Sequence, residues 1–599
     1  MKEKNTKKTV KSIFFVMGFL IKSVPLYVFF SILLNILRGM LQSFANVWLL
    51  MRVIDAVVVG NSFRALLYPV LQFTIFALGV GICDAFFLEW FEKKARQRFS
   101  DYMRTKMFEK AIQCDVRYYD NPDFYDNYIW TAKEIDNRAF DVFLNLTMLV
   151  QRIATISSII VMLAGVDYEL IILIVVCCII NYIITNKQND LQYVCDKNIN
   201  RITQKKRYVD RVFLMQENLK EIHSSGLPNV LVGMYDEAGK DQRKEINDAT
   251  RKIWKMDFVR SFLGENVLIY VLGIIALAIK VINNDMSLGV FVSGITGLQV
   301  IFSSFSFMLG KFSFFRESGL YIEKFIEFWT MKSTINNFAE GRKIEDYNNL
   351  TVDKVGFAYD ERKTVLKDVS FDAHKGQKIA IVGANGSGKT TLLKLLFRLY
   401  DVSDGRVCIN NENIKDIELN SLRQQYSCLF QDMNLYACSL GENIAMEHTN
   451  IGKEKQLADA AEQSGVDDFI GNFENGLDTN ITREFDEKGV MLSGGEKSKV
   501  GIARALYKKA GCIVLDEPTA TMDPFAEEEF NRKVAEFTSE RILIVVSHRL
   551  TTTVFADKIL VMDGGAIVES GSHQELMRKE GLYYRMFQTQ AEQYLENIS

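Results

Sequence analysis

Cysteine and histidine are scarce in this sequence, and neither occurs at the spacing of a metal site. The nine cysteines include no Cys-x-x-Cys pair, and none of the five histidines stands at metal-ligand spacing from a cysteine. Structural zinc sites and disulfide frameworks depend on such grouping, so the sequence argues against both. We therefore expect reduced, structural thiols in a cytoplasmic or membrane setting.

An excess of charge is also absent. The chain has 71 Lys and Arg against 74 Asp and Glu, and a net charge of −3 gives no reason to expect nucleic-acid binding. The first residues, MKEKNTKKTVKSIFFVMGFL, are basic and then apolar, as in a secretory signal. No small-residue cleavage site follows, and the apolar character resumes through Leu50, so we expect no cleaved signal peptide.

Long apolar runs are present, but only in the first half of the chain. Runs such as LIILIVVCCIINYIIT (170–185) occur before about residue 325, and the remainder has the mixed composition of a soluble α/β domain. We predict a transmembrane domain at 1–325, a linker at 326–348 and a soluble domain at 349–599. Six stretches are long enough to cross a bilayer, which needs about 20 residues: 24–50, 66–90, 140–164, 168–185, 262–282 and 288–309.

The connections between these stretches alternate between short and very long. The long ones, 91–139 and 186–261, are rich in Lys and Arg, as is the N-terminal tail. This bias predicts that both termini and both long connections lie in the cytoplasm. Polar residues within or beside the spans are expected mainly in helix packing or at interfaces rather than on a substrate; they include Arg38, Gln42, Asp84, Glu89, Asn181, Glu265, Asn266 and Gln299.

The long connections carry helical patterns. In FEKKARQRFSDYMRTKMFEKAI (91–112) apolar residues recur at every fourth position, which predicts a helix reaching on the order of 30 Å into the cytoplasm. The pattern breaks at 118–130, near Asn121 and Pro122, and again at 217–235, near Gly226 and Pro228. We interpret these two elbows as docking surfaces that couple the domains. The alternative is that they are ordinary ends of helical hairpins.

The second half contains a phosphate-binding motif in its proper context. KIAIVGANGSGKTTLLKLLF is an apolar strand, a Gly-x-x-x-x-Gly-Lys-Thr loop and an apolar-periodic helix, which together predict a P-loop. Backbone N–H groups of such a loop surround the phosphates. Lys389 would hold the β- and γ-phosphates of ATP, and the Thr390 hydroxyl would bind Mg²⁺. The predicted nucleotide-binding residues here are Gly383, Asn385, Gly386, Ser387, Gly388, Lys389, Thr390 and Thr391.

An NTPase also needs carboxylates for its metal ion and for the attacking water. GCIVLDEPTATMD (511–523) supplies them after a buried strand, at the carboxyl end where open α/β sheets bind ligands. Asp516 would bind Mg²⁺, and Glu517 would be the general base. An acidic pair after a strand is more often a solvated turn, but the P-loop upstream favours the catalytic interpretation.

The stretch LSGGE, residues 492–496, precedes a predicted helix between the P-loop and the acidic pair. In this order the motif resembles the signature of ATP-binding cassette (ABC) transporters. The resemblance extends to the whole chain, which is similar to a half-size exporter of the type I (type IV fold) architecture, such as those of the bacterial peptide and multidrug group. It implies an α-helical polytopic membrane domain, with six spans and long cytoplasmic extensions, fused to an α/β P-loop NTPase cassette.

Further positions match the family pattern. The resemblance implies that Tyr359 stacks on adenine, that Gln431 contacts Mg²⁺ and water, and that His548 contacts the γ-phosphate. It also implies that Asp523 communicates between cassettes. Alone, each would more often be structural. Glu496 and Lys497 depart from the usual glutamine after the glycines, and residues 519–522 replace a more usual small-residue run.

The signature stretch has a helix N-terminus and a hydroxyl but no lysine or metal ligand, so it provides half of a site. The resemblance implies that Ser493, Gly494 and Gly495 of one chain close over the ATP held by a second chain. The partner is then a second half-transporter, with a homodimer expected and a heterodimer as the alternative.

The resulting hypothesis is an ATP-driven translocase in a bacterial plasma membrane. It would export a peptide, drug-like or lipid-like compound by alternating access, with ATP and Mg²⁺ as cofactors. Two alternatives stay open at this point. One is an importer of, for example, a metal chelate on the same scaffold, and the other is an ATP-gated channel or regulator.

Overall fold

The structure is a computed structural model. It describes the chain except residues 1, 59–62, 165–167, 216–217, 263–270, 272, 284, 336–340, 360–363, 432, 449–452, 519–526, 528–531, 533–539 and 597–599. Contacts divide the chain into two compact units. Unit 1 comprises Met1–Ile112 and Asp123–Met331, and unit 2 comprises Gln113–Pro122 and Lys332–Ser599. The predicted domain boundaries remain a prediction, but unit 2 takes a short segment from within the first half of the sequence.

Unit 1 and the short segment are helical. Their helices are α1 (Lys2–Ser23), α2 (Pro25–Ser43), α3 (Leu50–Val58), α4 (Phe63–Phe86), α5 (Lys93–Gln113), α6 (Val116–Tyr119), α7 (Pro122–Ala164), α8 (Tyr168–Leu214), α9 (Leu219–Ser224), α10 (Leu227–Val259), α11 (Ile274–Ile282) and α12 (Leu288–Thr330). Wider π-helical turns, Phe44–Leu49 and Phe87–Glu92, join α2 to α3 and α4 to α5.

Four helical segments among the described residues are long and apolar enough to cross a membrane: Pro25–Val58, Leu66–Gln113, Thr131–Met162 and Leu288–Thr330. They correspond to the predicted first, second, third and sixth spans. The predicted fourth span begins α8, and the predicted fifth falls partly outside the described residues. As expected, the second span continues into a long helix, whose residues Ala95, Phe99, Met103 and Met107 are buried.

The first predicted elbow was placed too late in the sequence. α5 ends at Gln113, and Pro122 begins α7 rather than ending a helix, so residues 122–130 are helical. Proline suits the first turn of a helix because the N–H that it lacks has no partner there. The second break behaves similarly: α8 ends at Leu214, and α10 starts after Gly226 with a proline in its first turn.

Helices of unit 1 approach closely where a side chain is missing. A Cβ at Gly39 of α2 would lie 2.5 Å from the carbonyl oxygen of Gln151 in α7. The Ser43 hydroxyl donates to the Thr155 carbonyl at 3.1 Å, and the Thr155 hydroxyl donates to the Gly39 carbonyl at 3.2 Å. Small residues and hydroxyl hydrogen bonds are the usual means of packing membrane helices.

Unit 2 contains two sheets. The strands are β1 (Asn349–Ala358), β2 (Thr364–His374), β3 (Lys378–Gly383), β4 (Asp404–Ile409), β5 (Glu412–Asn413), β6 (Tyr426–Leu429), β7 (Cys512–Asp516), β8 (Ile542–Val546), β9 (Lys558–Asp563) and β10 (Ala566–Gly571). The four-stranded antiparallel sheet has the order β2-β1-β4-β5, and the six-stranded sheet has the order β10-β9-β3-β8-β7-β6. The second sheet is parallel except at β10.

Helices pack on these sheets and complete the unit. They are α13 (Lys389–Leu396), α14 (Leu419–Gln424), α15 (Leu440–Ala445), α16 (Glu454–Ser464), α17 (Asp467–Ile470), α18 (Gly494–Tyr507), α19 (His573–Lys579) and α20 (Leu582–Glu596). All five residues of β7 and of β8 are buried, as expected for a parallel sheet covered on both faces. The carboxyl ends of β3, β7 and β8 therefore meet at one edge, where each predicted motif begins.

Candidate nucleotide site

The loop between β3 and α13 requires glycine for two reasons. Gly386 and Gly388 have φ angles of 79° and 104°, which residues with a side chain rarely adopt. Gly383 also has positive φ, and a Cβ there would lie 2.2 Å from the carbonyl oxygen of Met562. The loop therefore turns tightly against β9 and leaves Ala384, Asn385 and Gly386 exposed. This is the backbone arrangement that binds phosphate through its N–H groups.

The side chains of the loop fit a polyphosphate anion. The Lys389 ammonium donates to the carbonyls of Gly383 at 2.8 Å and Ala384 at 3.0 Å, so it lies over the loop. Burial lowers the pKa of Lys389, and the carboxylates of Glu517 and Asp516 oppose that shift. The Ser387 hydroxyl is buried without a hydrogen-bond partner in the described part of the chain. A buried hydroxyl of this kind is costly unless a ligand satisfies it.

The acidic pair occupies the end of β7. Asp516 is buried, whereas Glu517 has a left-handed φ of 50°. The Glu517 N–H donates to the carbonyl of Val546 at 2.9 Å, so the turn is attached to β8. Strained backbone at a non-glycine residue is common at functional sites, where it directs a side chain away from its strand.

Two neighbours hold the Glu517 carboxylate. Its Oε1 lies 2.9 Å from Nε2 of His548, and its Oε2 accepts from Nε2 of Gln431 at 2.9 Å. Burial lowers the pKa of His548 below its ordinary value, the Lys389 ammonium lowers it further, and Glu517 acts in the opposite direction. The three predicted catalytic side chains thus come together from three separate stretches of sequence.

The predicted adenine platform lies beside the P-loop helix. Tyr359 is 46% exposed, so one part of its ring is open to a ligand. Its hydroxyl is 3.2 Å from the Thr391 hydroxyl, and the rings of Phe357 and Tyr400 pack edge-on against it with centroids 4.9 and 5.3 Å away. These contacts hold the tyrosine next to the loop.

The signature stretch begins α18 with a capping box. The Ser493 hydroxyl accepts from the Glu496 N–H, and the Glu496 carboxylate accepts from the Ser493 N–H at 2.8 Å. The same carboxylate also accepts from the Ser493 hydroxyl at 2.8 Å. Gly494 and Lys497 line a cleft of about 290 Å³ together with Asp516 and Glu517. The departure noted at Glu496 therefore serves the helix terminus itself.

Two predicted features lie outside the described residues. Asp523 and the stretch 519–522 have no structural description. The remaining predicted residues fall at the expected ends of strands and helices, but the roles assigned to them stay predictions.

Sequence reasoning missed the residues that anchor the segment 113–122. The Asp115 carboxylate accepts from the N–H groups of Thr334 at 2.9 Å and Ile335 at 3.3 Å, and from the hydroxyls of Ser333 and Thr334. Burial would raise the pKa of Asp115, but these hydrogen bonds outweigh burial and lower the pKa. An acidic residue directly before a helix gives no sign of such a distant partner.

Asp120 forms the second attachment. Its carboxylate accepts from the Tyr400 hydroxyl and lies 3.4 Å from the Lys394 ammonium of α13. Val116 packs against the core of the cassette sheets. Tyr400 also touches Tyr359, so the segment contacts the surroundings of the predicted adenine platform.

A P-loop at the end of a central parallel strand, with a histidine after the neighbouring strand β8 and an acidic pair after the next strand β7, defines a nucleotide-binding ATPase. A family model described as ABC transporter matches residues 366–520. The chain thus contains an ABC transporter domain, and its similarity to known proteins fits a half-size exporter.

Comparisons with individual proteins agree with the match to the family model. The subtilin transport ATP-binding protein SpaT of Bacillus subtilis is 27% identical over 516 residues, which is 85% of this chain and 83% of that protein. The ATP-dependent lipid A-core flippase of Vibrio parahaemolyticus serotype O3:K6 is 37% identical over 243 residues, 40% of this chain and 41% of the flippase. A solved structure of a bacterial Atm1-family ABC exporter with ATP bound aligns over 95% of this chain and 98% of that chain, with a TM-score of 0.77 and 23% identity.

These findings confirm the predicted fold class and the predicted activity. The chain is an integral membrane protein with a helical membrane domain and an ABC cassette, and it couples ATP hydrolysis to export. They do not favour the importer alternative.

Proposed function

We propose that this protein works as a dimer in a bacterial plasma membrane, with both termini in the cytoplasm, and exports an amphipathic peptide or lipid-like compound through two shared ATP sites. The observation that carries the ATPase mechanism is the Glu517 carboxylate held between His548 and Gln431 at 2.9 Å on each side. A carboxylate fixed in this way beside a P-loop is placed to accept a proton from water.

Different residues of the site bind different parts of the nucleotide. Lys389 and the exposed backbone N–H groups hold the phosphates, and the open face of Tyr359 stacks on adenine. Burial and the Lys389 ammonium lower the pKa of His548, which favours the neutral ring with one N–H. That N–H would turn from Glu517 to the γ-phosphate when the nucleotide is bound. These groups position the nucleotide and stabilise its charge rather than form covalent bonds to it, as expected for phosphoryl transfer.

The oxygen donors fit a magnesium ion. Thr390 is exposed at the start of α13, and Asp516 ends β7. Gln431 contacts Glu517 through its amide nitrogen, so this contact does not involve its amide oxygen. Hydroxyl, carboxylate and amide oxygens are ligands that Mg²⁺ accepts together with phosphate oxygens. When bound, the ion would neutralise charge developing on the phosphates.

The second copy completes the site. Ser493, Gly494 and Gly495 offer a helix N-terminus and a hydroxyl to the γ-phosphate held by the other chain, and Asp523 is proposed to communicate between the cassettes. In this proposal the Glu496 carboxylate must release the Ser493 hydroxyl, because both it and the phosphate are anions.

The substrate proposal depends on how far each relative matches. The match to the subtilin transport protein extends over 85% of this chain and therefore includes the membrane domain, whereas the match to the lipid A-core flippase covers 40% of it. We therefore place peptides before lipids among candidate cargoes.

Transport into inside-out vesicles tests the proposal. Vesicles containing the wild-type chain should accumulate an amphipathic peptide in an ATP-dependent manner, and the same peptide should stimulate ATP hydrolysis. Vesicles containing Glu517→Gln should do neither. The proposal would be contradicted if no peptide or lipid of a broad panel stimulated ATP hydrolysis and none accumulated in the vesicles.

A further inference from the structure

The serine of the signature stretch is held by a carboxylate of its own chain. The Ser493 hydroxyl donates to Oε2 of Glu496 at 2.8 Å, and the same oxygen accepts from the Ser493 N–H at 2.8 Å. Within the described part of the chain, no lysine or arginine nitrogen lies within 4.0 Å of this carboxylate. The negative charge at the start of α18 is therefore not neutralised by a neighbouring cation.

Two other capping boxes of the cassette show that a helix can start without this hydroxyl contact. Ser572 caps α19, and its N–H donates to Oε2 of Glu575 at 2.9 Å. Its hydroxyl accepts from the Glu575 N–H at 3.4 Å and, among the described residues, donates to no carboxylate. Ser439 caps α15, and its hydroxyl lies 3.3 Å from Glu442, whose other carboxylate oxygen is 2.8 Å from Nδ1 of His448. Of these three boxes, that of the signature stretch has the shortest hydroxyl contact.

The location of this carboxylate connects it to the nucleotide. Ser493 and Gly494 are exposed, and in the proposed dimer they face the γ-phosphate that Lys389 of the other chain holds. A hydroxyl has one hydrogen to donate, so a phosphate oxygen that accepts from Ser493 must replace the Glu496 carboxylate as its acceptor. Two anionic groups then lie next to each other, and their repulsion opposes the approach of the second chain.

We propose that Glu496 is a positioning residue that opposes closure of the dimer. It keeps the Ser493 hydroxyl in a contact within the chain and places a negative charge beside the phosphate, so closure requires a higher concentration of ATP. Once the γ-phosphate has left, the hydroxyl returns to Glu496, which favours opening. The proposal rests on the shared ATP sites proposed above and concerns their regulation.

Closure of the full chain in lipid nanodiscs tests the proposal. Every variant also carries Glu517→Gln, so that ATP stays bound, and distances between labels on the two cassettes are measured at increasing concentrations of Mg-ATP. Glu496→Gln keeps the size of the side chain and an acceptor for the Ser493 N–H, but it removes the charge. It should lower the ATP concentration at half-maximal closure by about five-fold, the effect of one unit charge at about 4 Å in water.

Three comparisons separate the charge from the capping of the helix. Glu575→Gln makes the same change at the capping box of α19 and should leave the half-maximal ATP concentration unchanged. Glu496→Ala removes both the charge and the cap and should still lower that concentration, whereas a role in capping alone predicts an increase. Raising the salt concentration from about 0.1 M to about 1 M should reduce the advantage of Glu496→Gln, because the screening length falls from about 10 Å to about 3 Å.

Equal half-maximal concentrations with and without Glu496→Gln would overturn the proposal, as would an advantage of this variant that salt does not reduce. If Glu496→Gln aggregates, Glu496→Ala provides the test, and an increase in its half-maximal concentration overturns the proposal. The absence of closure in every variant at saturating ATP would overturn the shared sites, and this proposal with them. Closure at equal ATP concentrations would count against the role of Glu496 alone.

Discussion

The cassette and the membrane domain of this protein carry their function in different forms. In the cassette, phosphate chemistry demands glycines with positive φ and a lysine after one strand of the sheet, and carboxylates at the end of another. In the membrane domain, the bilayer demands apolar helices of sufficient length and little else. The function of the cassette therefore depends on local sequence motifs. The function of the membrane domain depends on which helices pack together.

Charge placement shows the same contrast. Glu517 of the cassette contacts His548 and Gln431, both of which stand at the ends of buried strands. Arg152 of the membrane domain contacts Gln42 and Phe307, which lie on two other helices and carry no recognisable pattern. Four experiments can break or sharpen this contrast, starting with the largest expected effect.

The first concerns the shared site and uses a dimer linked as one polypeptide. With Lys389→Ala on one half and Ser493→Arg on the other, shared sites give one site with both defects and one intact site. With both changes on one half, each shared site is damaged once. We expect ATP-dependent closure in the first linked dimer and none in the second, measured by cross-linking or by distance measurements between the cassettes. The reverse ranking would mean that each chain completes its own site.

The second concerns the general base. Glu517→Gln should bind ATP yet hydrolyse it about a hundred-fold more slowly or worse, because the amide cannot accept the proton of water. Glutamine has nearly the same size and shape as glutamate and can still lie between His548 and Gln431, so folding should be preserved. Phosphate release at saturating ATP measures the effect, and near-normal turnover would remove Glu517 from the mechanism.

The third concerns the anchor of the segment 113–122. Asp115→Ala leaves the N–H groups of Thr334 and Ile335 without their acceptor and should cost about 2 kcal/mol or more. For a unit of this size, that corresponds to a fall of roughly 4–8 °C in the melting temperature of the cassette. Thermal unfolding followed by fluorescence or calorimetry measures it. A change of less than a degree would show that the contact is dispensable.

This anchor has a defined pH dependence. The folded state lowers the pKa of Asp115 below its ordinary value of 3.8, so its stabilising effect is complete above that pH and is lost as the pH falls through the folded pKa. The difference in melting temperature between the wild-type chain and Asp115→Ala should therefore stay constant from pH 7 to about pH 5. A difference that shrinks within that window would assign the effect to another group.

The fourth and smallest effect concerns communication. Tyr400→Phe removes the hydroxyl that donates to Asp120 but keeps the ring that packs on Tyr359. We expect substrate stimulation of ATP hydrolysis to fall by about three-fold, with a smaller change in the basal rate, because one partly exposed hydrogen bond is lost. Tyr426→Phe removes a different buried hydroxyl from the same core and should leave the stimulation ratio unchanged. Equal losses in both variants would indicate general destabilisation.

The sequence was most informative where one chemical task requires fixed residue types at fixed spacing. The P-loop, the acidic pair and the helix that begins at the signature stretch were all placed correctly, because each depends on contacts within a few residues. The boundary of the first elbow was less accurate. Aromatic residues after Pro122 favoured a loop, but α7 includes them, since packing along a long helix outweighs local preference.

Local pattern by itself determined the two-part architecture and the strand-loop-helix elements, and it was sufficient to predict which residues bind nucleotide. Tertiary structure alone decided that Asp115 would bind the chain near Thr334, that Asp120 would meet Tyr400, and that Arg152 and Lys311 would share the ring of Phe307. The physical reason is the distance along the sequence between the interacting residues. A motif is stabilised by bonds between near neighbours, which the sequence displays, whereas these pairs are brought together by the summed packing of whole helices and sheets.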